Sequence, residues 1–137
     1  MPVEGQVLGT AVKQAQYRQH RMLDSRLAEV GTTLAQWDAL RAISRSPGAS
    51  ARALAADTFQ SEQAFGTLAG RLAAQHLIDR RPGRGRSIEH HLTPAGEKTL
   101  AAGHAVADDV LAEFFAPLTD DERATLLDLL LRLGRTD

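Results

Sequence analysis

Apolar residues recur at helical spacing along most of this chain, and the pattern breaks once. There, Ile78-Asp-Arg-Arg81 and Ser87-Ile-Glu-His-His-Leu92 flank Pro82-Gly-Arg-Gly85, which reads as strand, tight turn, strand. One hairpin inside an otherwise helical chain gives a fold class that is mainly α with a small β-hairpin. Composition agrees: Ala (23) and Leu (19) dominate and aromatics make up only 4%, a mixture that favours helices over sheets. The 137 residues fit one domain, or one compact subunit of an oligomer. With no cysteine, disulfides, thiolate metal sites and thiol-based redox sensing are excluded. No apolar run approaches the roughly 20 residues of a membrane span, and the N-terminus has no signal-peptide core. A cytoplasmic protein with no membrane partner is expected.

Helix boundaries can be read on both sides of the hairpin. Residues 6–30 place Val7, Leu8, Ala11, Ala15, Met22, Leu23, Leu27 and Val30 at helical spacing, with Gly31 as a stop. Thr33-Leu-Ala-Gln36 has the form of a capping box and opens a helix bearing Trp37, Leu40 and Ile43, which Ser46-Pro47-Gly48 ends. Ser50 can cap a short third helix with Leu54 and Ala55 inward. Ser61 can cap a fourth, over 61–75, with Phe65, Leu68 and Leu72 inward. In the hairpin, Ile88, His90 and Leu92 share one face, and Ser87, Glu89 and His91 the other. Thr93 at the N-cap and Pro94 at the first helical position start a helix that runs to about Phe115. Pro117 interrupts, and Thr119-Asp-Asp-Glu122 forms a second capping box. On the last helix Leu126, Leu127, Leu129, Leu130, Leu131 and Leu133 wrap most of the circumference, so it must be buried on nearly all sides. Pairing of the terminal helical regions with a second copy, most simply as a two-fold homodimer, meets that demand.

The net charge of −1 conceals segregation. Residues 1–40 are neutral, residues 41–93 carry eight arginines against four acids, and residues 94–137 carry four basic and nine acidic groups. A basic middle on a chain with an acidic end is the electrostatic footprint of a phosphate-binding surface attached to something else.

Three short helices followed by a hairpin is the order of a winged helix-turn-helix, in which the helix over 61–75 would enter the major groove. From Thr33 to Gly96 the residues resemble the MarR family of bacterial winged-helix regulators. The matching stretches are Thr33-Leu-Ala-Gln-Trp37-Asp-Ala-Leu40, Leu54-Ala55, Ser61, Leu68 with Arg71-Leu72, and Leu77-Ile78-Asp79-Arg80-Arg81-Pro82. Arg86 and Leu92-Thr93-Pro94-Ala95-Gly96 close the match. The resemblance implies a winged-helix unit over 33–93 between dimerisation helices over 1–31 and 94–137. It also implies a homodimer that binds double-stranded DNA at a short pseudo-palindromic operator as a transcriptional regulator, often released by a small-molecule effector. Three features depart from the family pattern: Arg84 stands where family wings carry an Asp, the wing turn is about two residues shorter than usual, and Gly66 and Thr67 stand where many members have a hydroxyl and a basic residue.

The expected DNA-binding set is Ser61, Gln63, Gly66, Thr67 and Arg71 on the fourth helix, with Arg81, Arg84 and Arg86 on the wing. Gly66 and Gly70 lie one turn apart; either close approach to DNA or close packing of another helix accounts for them. An effector pocket is expected where the dimer helices meet the DNA-binding unit, with Tyr17, His20 and Trp37 as candidate ligand-binding groups. Adjacent His90 and His91 point to opposite faces of a strand and cannot chelate one ion in simple geometry, so no metal or other cofactor is expected. No phosphate loop, nucleophile elbow or zinc-protease signature appears, and no catalytic residue is assigned. Asp120-Asp121-Glu122 suits a helix N-terminus. The competing class is a winged-helix dimer that binds protein, against which the excess of arginine forks argues.

Overall fold

The computed structural model describes residues 1–135. Six helices and one hairpin follow in the order α1 (Gly5–Ala28), α2 (Leu34–Arg45), α3 (Ala51–Asp57), α4 (Glu62–Ala74), β1 (Ile78–Pro82), β2 (Ile88–Leu92), α5 (Pro94–Phe114) and α6 (Asp120–Leu133). Serine and threonine caps set the starts of five of the helices. Thr33, Ser50, Ser61, Thr93 and Thr119 each accept from the backbone N–H three residues on, at 3.0–3.2 Å.

The two capping boxes differ. At α6 the box is complete, with the Thr119 amide donating to Glu122 Oε1 at 2.9 Å. At α2 only the Thr33 half forms, because the Gln36 side chain accepts from Thr32 Oγ1 instead, at 3.3 Å. Another orphan donor of that helix end, the Leu34 amide, is satisfied from α1 by Asp24 Oδ1 at 2.8 Å.

Leu27, Leu40, Ile43, Leu54, Phe65, Leu72, Ile78 and Val110 are fully buried and form a single core drawn from α1 to α5 and β1. The hairpin is antiparallel, in register Ile78↔Leu92 to Pro82↔Ile88. Face alternation follows the sequence pattern, but burial on that face follows distance from the core and not polarity. Ile88 is 44% exposed whereas His90 is 2% exposed. The ribbon projects past the core, so only its base packs. His90 tolerates burial because its Nδ1 lies 2.9 Å from the Ala49 carbonyl and its ring meets Phe65 edge-on. A carbonyl only accepts, so Nδ1 carries the proton.

Two close approaches fix α5. At Gly96 an added Cβ would collide with the Leu77 carbonyl, and at Gly103 with the indole of Trp37. The stretch Thr93-Pro94-Ala95-Gly96 thus combines a cap, a preformed first turn and a backbone contact that excludes side chains. By contrast, α6 has no buried residue: Leu127, Leu131 and Leu133 are 58%, 61% and 74% exposed. On α1, Val7, Leu8 and Val12 are exposed as well.

Candidate nucleic-acid interface

Phe65, Ala69 and Leu72 anchor the inner side of α4, which leaves the opposite side in solvent. Ser61, Gln63, Thr67 and Arg71 are exposed there, and Gly66 and Gly70 lie beside them, half-buried. The hydroxyl of Ser61 is engaged as the cap of Ala64 N. An added Cβ at Gly66 or Gly70 meets nothing within 4 Å. Close packing of a helix within this chain therefore does not explain these glycines.

The wing displays the other basic residues. Its turn is closed by Gly83 N donating to Ser87 O at 2.8 Å and Ser87 N to Arg84 O at 3.1 Å, with Gly85 at φ +61°. Arg84 and Arg86 flank that glycine and are exposed. On β1, alternation places Arg81 with Asp79, and across the ribbon with Glu89; Arg80 lies on the face of Ile78 and His90. Arg81 Nη2 is 3.6 Å from Asp79 Oδ2, an ion pair at the base of the wing where the family's Asp at the tip is missing. Glu89 is engaged by His91 at 2.9 Å. Arg71, Arg80, Arg84 and Arg86 have no ion-pair partner among the described residues. Four arginines thus keep their charge available to phosphate.

Between α1, α2, the α3–α4 turn and α5 lies a cleft of about 460 Å³. His20 and Trp37 line it; Tyr17 does not, and stands exposed with its hydroxyl accepting from Arg21 at 3.3 Å. Trp37 is mostly a core residue, 4% exposed, with an indole N–H that has no partner among the described residues. The guanidinium of Arg41 stacks over its ring at 4.4 Å and contacts Asp38 Oδ1 at 3.3 Å. Burial pushes the Asp38 carboxyl above its ordinary value, and the nearby Arg41 offsets this only in part.

Residues 30–87 match the sequence pattern of the MarR family. That stretch is 58 of the 137 residues, and over it the chain is similar to the family. It is 33% identical over 109 residues to a Thauera aromatica protein described as a transcriptional regulatory protein for the hcr operon. That match covers 78% of this chain and 66% of the relative, so the chain spans just under two thirds of the relative's length. In fold it is similar to a variant of Escherichia coli MarR solved with operator DNA, at TM-score 0.87 and 24% identity over 93% of this chain and 94% of the other. It is also similar to a MarR family protein of Mycobacterium tuberculosis. In complex with DNA that protein aligns at TM-score 0.77 and 25% identity, covering 93% and 98% of the two chains. In complex with salicylic acid it aligns at TM-score 0.76 and 27% identity, covering 93% and 96%.

In this chain the cleft contains polar groups absent from the sequence-based candidates, chiefly Asp38 and Arg41 of α2 and Gln60 of the turn. Arg41 was within reach of the pattern, since it follows Trp37 by four residues and must share its face. Gln60 carried no such signal, because its place depends on how the α3–α4 turn folds.

Proposed function

We propose that this chain is a cytoplasmic transcriptional regulator that binds double-stranded DNA as a homodimer at a short pseudo-palindromic operator. The observation that carries this function is the set of exposed arginines without acid partners on α4 and the wing. The M. tuberculosis relative's complex with DNA supports it. The winged-helix unit over 33–93 lays α4 in the major groove, with Ser61, Gln63, Gly66, Thr67 and Arg71 nearest the bases and adjoining phosphates. Arg84 and Arg86 grip backbone or minor groove from the wing, and Arg81 steadies its base through Asp79. Regions 1–31 and 94–137 supply the dimer contacts, and the exposed apolar residues of α1 and α6 are their surface; residues 136–137 of that region lie outside the described residues. The cleft bordered by His20 and Trp37 takes a small-molecule effector that changes DNA affinity, as the same relative's complex with salicylic acid suggests.

The experiment is selection of duplexes from a random pool by the full chain, followed by affinity measured against salt. The logarithm of affinity should fall steeply with the logarithm of salt concentration. Arg86→Ala should weaken binding on all duplexes and reduce that slope by about one. A pool that yields no bound duplex, with a protein partner surviving nuclease treatment, would instead establish the protein-interaction class.

A further inference from the structure

The solvent side of α4 offers few hydrogen-bonding groups. Its exposed positions are Glu62, Gln63, Ala64, Thr67, Arg71 and Ala74, and the half-buried glycines beside them are open to space. Thr67 has turned its hydroxyl back onto the helix, where it donates to the Gln63 carbonyl at 3.2 Å. A threonine engaged in this way has spent its one donor on its own helix, which leaves the methyl as the group it can offer to an apolar partner. Gln63, one turn earlier and exposed, carries an amide with both donor and acceptor. Glu62 sits in the first turn, where a carboxylate complements the helix dipole. Arg71 lies toward the C-terminal end, away from the N-terminal residues that meet base edges in this docking mode.

On the major-groove edges of the base pairs, the one apolar group is the 5-methyl of thymine, and the group a glutamine amide matches in two bonds is adenine N6/N7. We propose that α4 reads A·T pairs, with Gln63 recognising adenine and the Thr67 methyl packing on a thymine methyl. Gly66 and Gly70 let the backbone descend far enough for so short a side chain to reach. The ligand class is a duplex with A·T pairs at the centre of each half-site, in place of the guanines that arginine or lysine selects. The wing favours the same class independently. Arg84 and Arg86 on either side of a glycine tip suit the narrow minor groove of A·T tracts. This inference rests on the DNA binding proposed above.

The test uses the full chain and the tightest duplex from the random pool, resynthesised with deoxyuridine replacing each thymidine in turn. Deoxyuridine pairs as thymidine does and lacks only the methyl. In each half-site one exchange should weaken binding roughly fourfold, the worth of one buried methyl. In Thr67→Ser, which keeps the hydroxyl and loses the methyl, that ratio should fall to about one; in Gln63→Ala it should persist. Gln63→Ala should in turn lower discrimination at one adenine by roughly fivefold or more. Selected half-sites with G·C centres, or exchanges without effect at every position, overturn the inference and leave DNA binding standing. So does a deoxyuridine effect that survives unchanged in Thr67→Ser. Failure of the pool to yield any duplex overturns both.

Discussion

Space reserved by absent side chains sets the geometry of α5 residue by residue. Gly103 receives the edge of Trp37, and Gly96 receives the Leu77 carbonyl, so neither position has room for a methyl group. Overpacking of this kind costs about 1–3 kcal/mol, with Gly96→Ala toward the upper end because its obstacle is backbone. Both variants should unfold at clearly lower denaturant than the parent; unchanged midpoints would mean that the helix shifts without cost. Asp38 gives a second residue-scale expectation. Its carboxyl is held above its ordinary value in the folded chain by burial, so its ionised form is disfavoured there. A raised folded value means that Asp38 favours folding below about pH 4 and loses that contribution as pH rises through the folded value. Asp38→Asn should therefore be more stable than the parent at pH 7, and the gain should vanish on acidification; a gain independent of pH would assign it to something other than this charge. These facts were hard to read beforehand for one reason. Which neighbour fills a glycine, or desolvates an acid, is settled by contacts distant in sequence. His90 shows the same limit: alternation gave its face, but not the Ala49 carbonyl that makes its burial tolerable.

Elements were more legible than residues, because caps and periodicity are local. The starts of α2, α3, α4, α5 and α6 follow from Thr33, Ser50, Ser61, Thr93 and Thr119, each of which caps as its sequence position suggests. The half-formed box at α2 marks where locality ends, since Gln36 had two threonines to choose from and bonded to Thr32. On α4 the glycines separate stability from binding. Since an added methyl at Gly66 or Gly70 meets open space, alanine there should stabilise the helix by about 1 kcal/mol each. The same methyls would stand between backbone and base edges, so DNA affinity should fall as thermal stability rises. Opposite movement of the two readouts on Gly66→Ala and Gly70→Ala supports a backbone that approaches DNA. Unchanged affinity alongside higher stability would show that the groove never comes that close.

At the scale of the whole molecule, the leucines of α6 pose a problem that the single chain does not solve. The helix is capped at its start and tied back by Arg123 Nε to the Phe115 carbonyl at 3.1 Å, yet it buries no side chain of its own. Five exposed leucines on one terminal helix, with Val7, Leu8 and Val12 on another, form more apolar surface than isolated surface residues account for. Six leucines within eight positions already implied a cover, but not its geometry, because two-fold packing depends on where α1 and α6 stand relative to each other. If a second copy supplies the cover, Leu127→Glu and Leu131→Glu should each place a charge in an apolar interface while leaving the protomer's core untouched. Helix content should then be retained, the mass in sedimentation should fall to that of one chain at micromolar concentration, and affinity for a two-half-site duplex should drop far more than for one half-site. A parent that already sediments as one chain, or variants that stay dimeric, would move the cover elsewhere. The operator symmetry proposed here depends on this result, since two half-sites are read together only if two winged-helix units are held in one assembly.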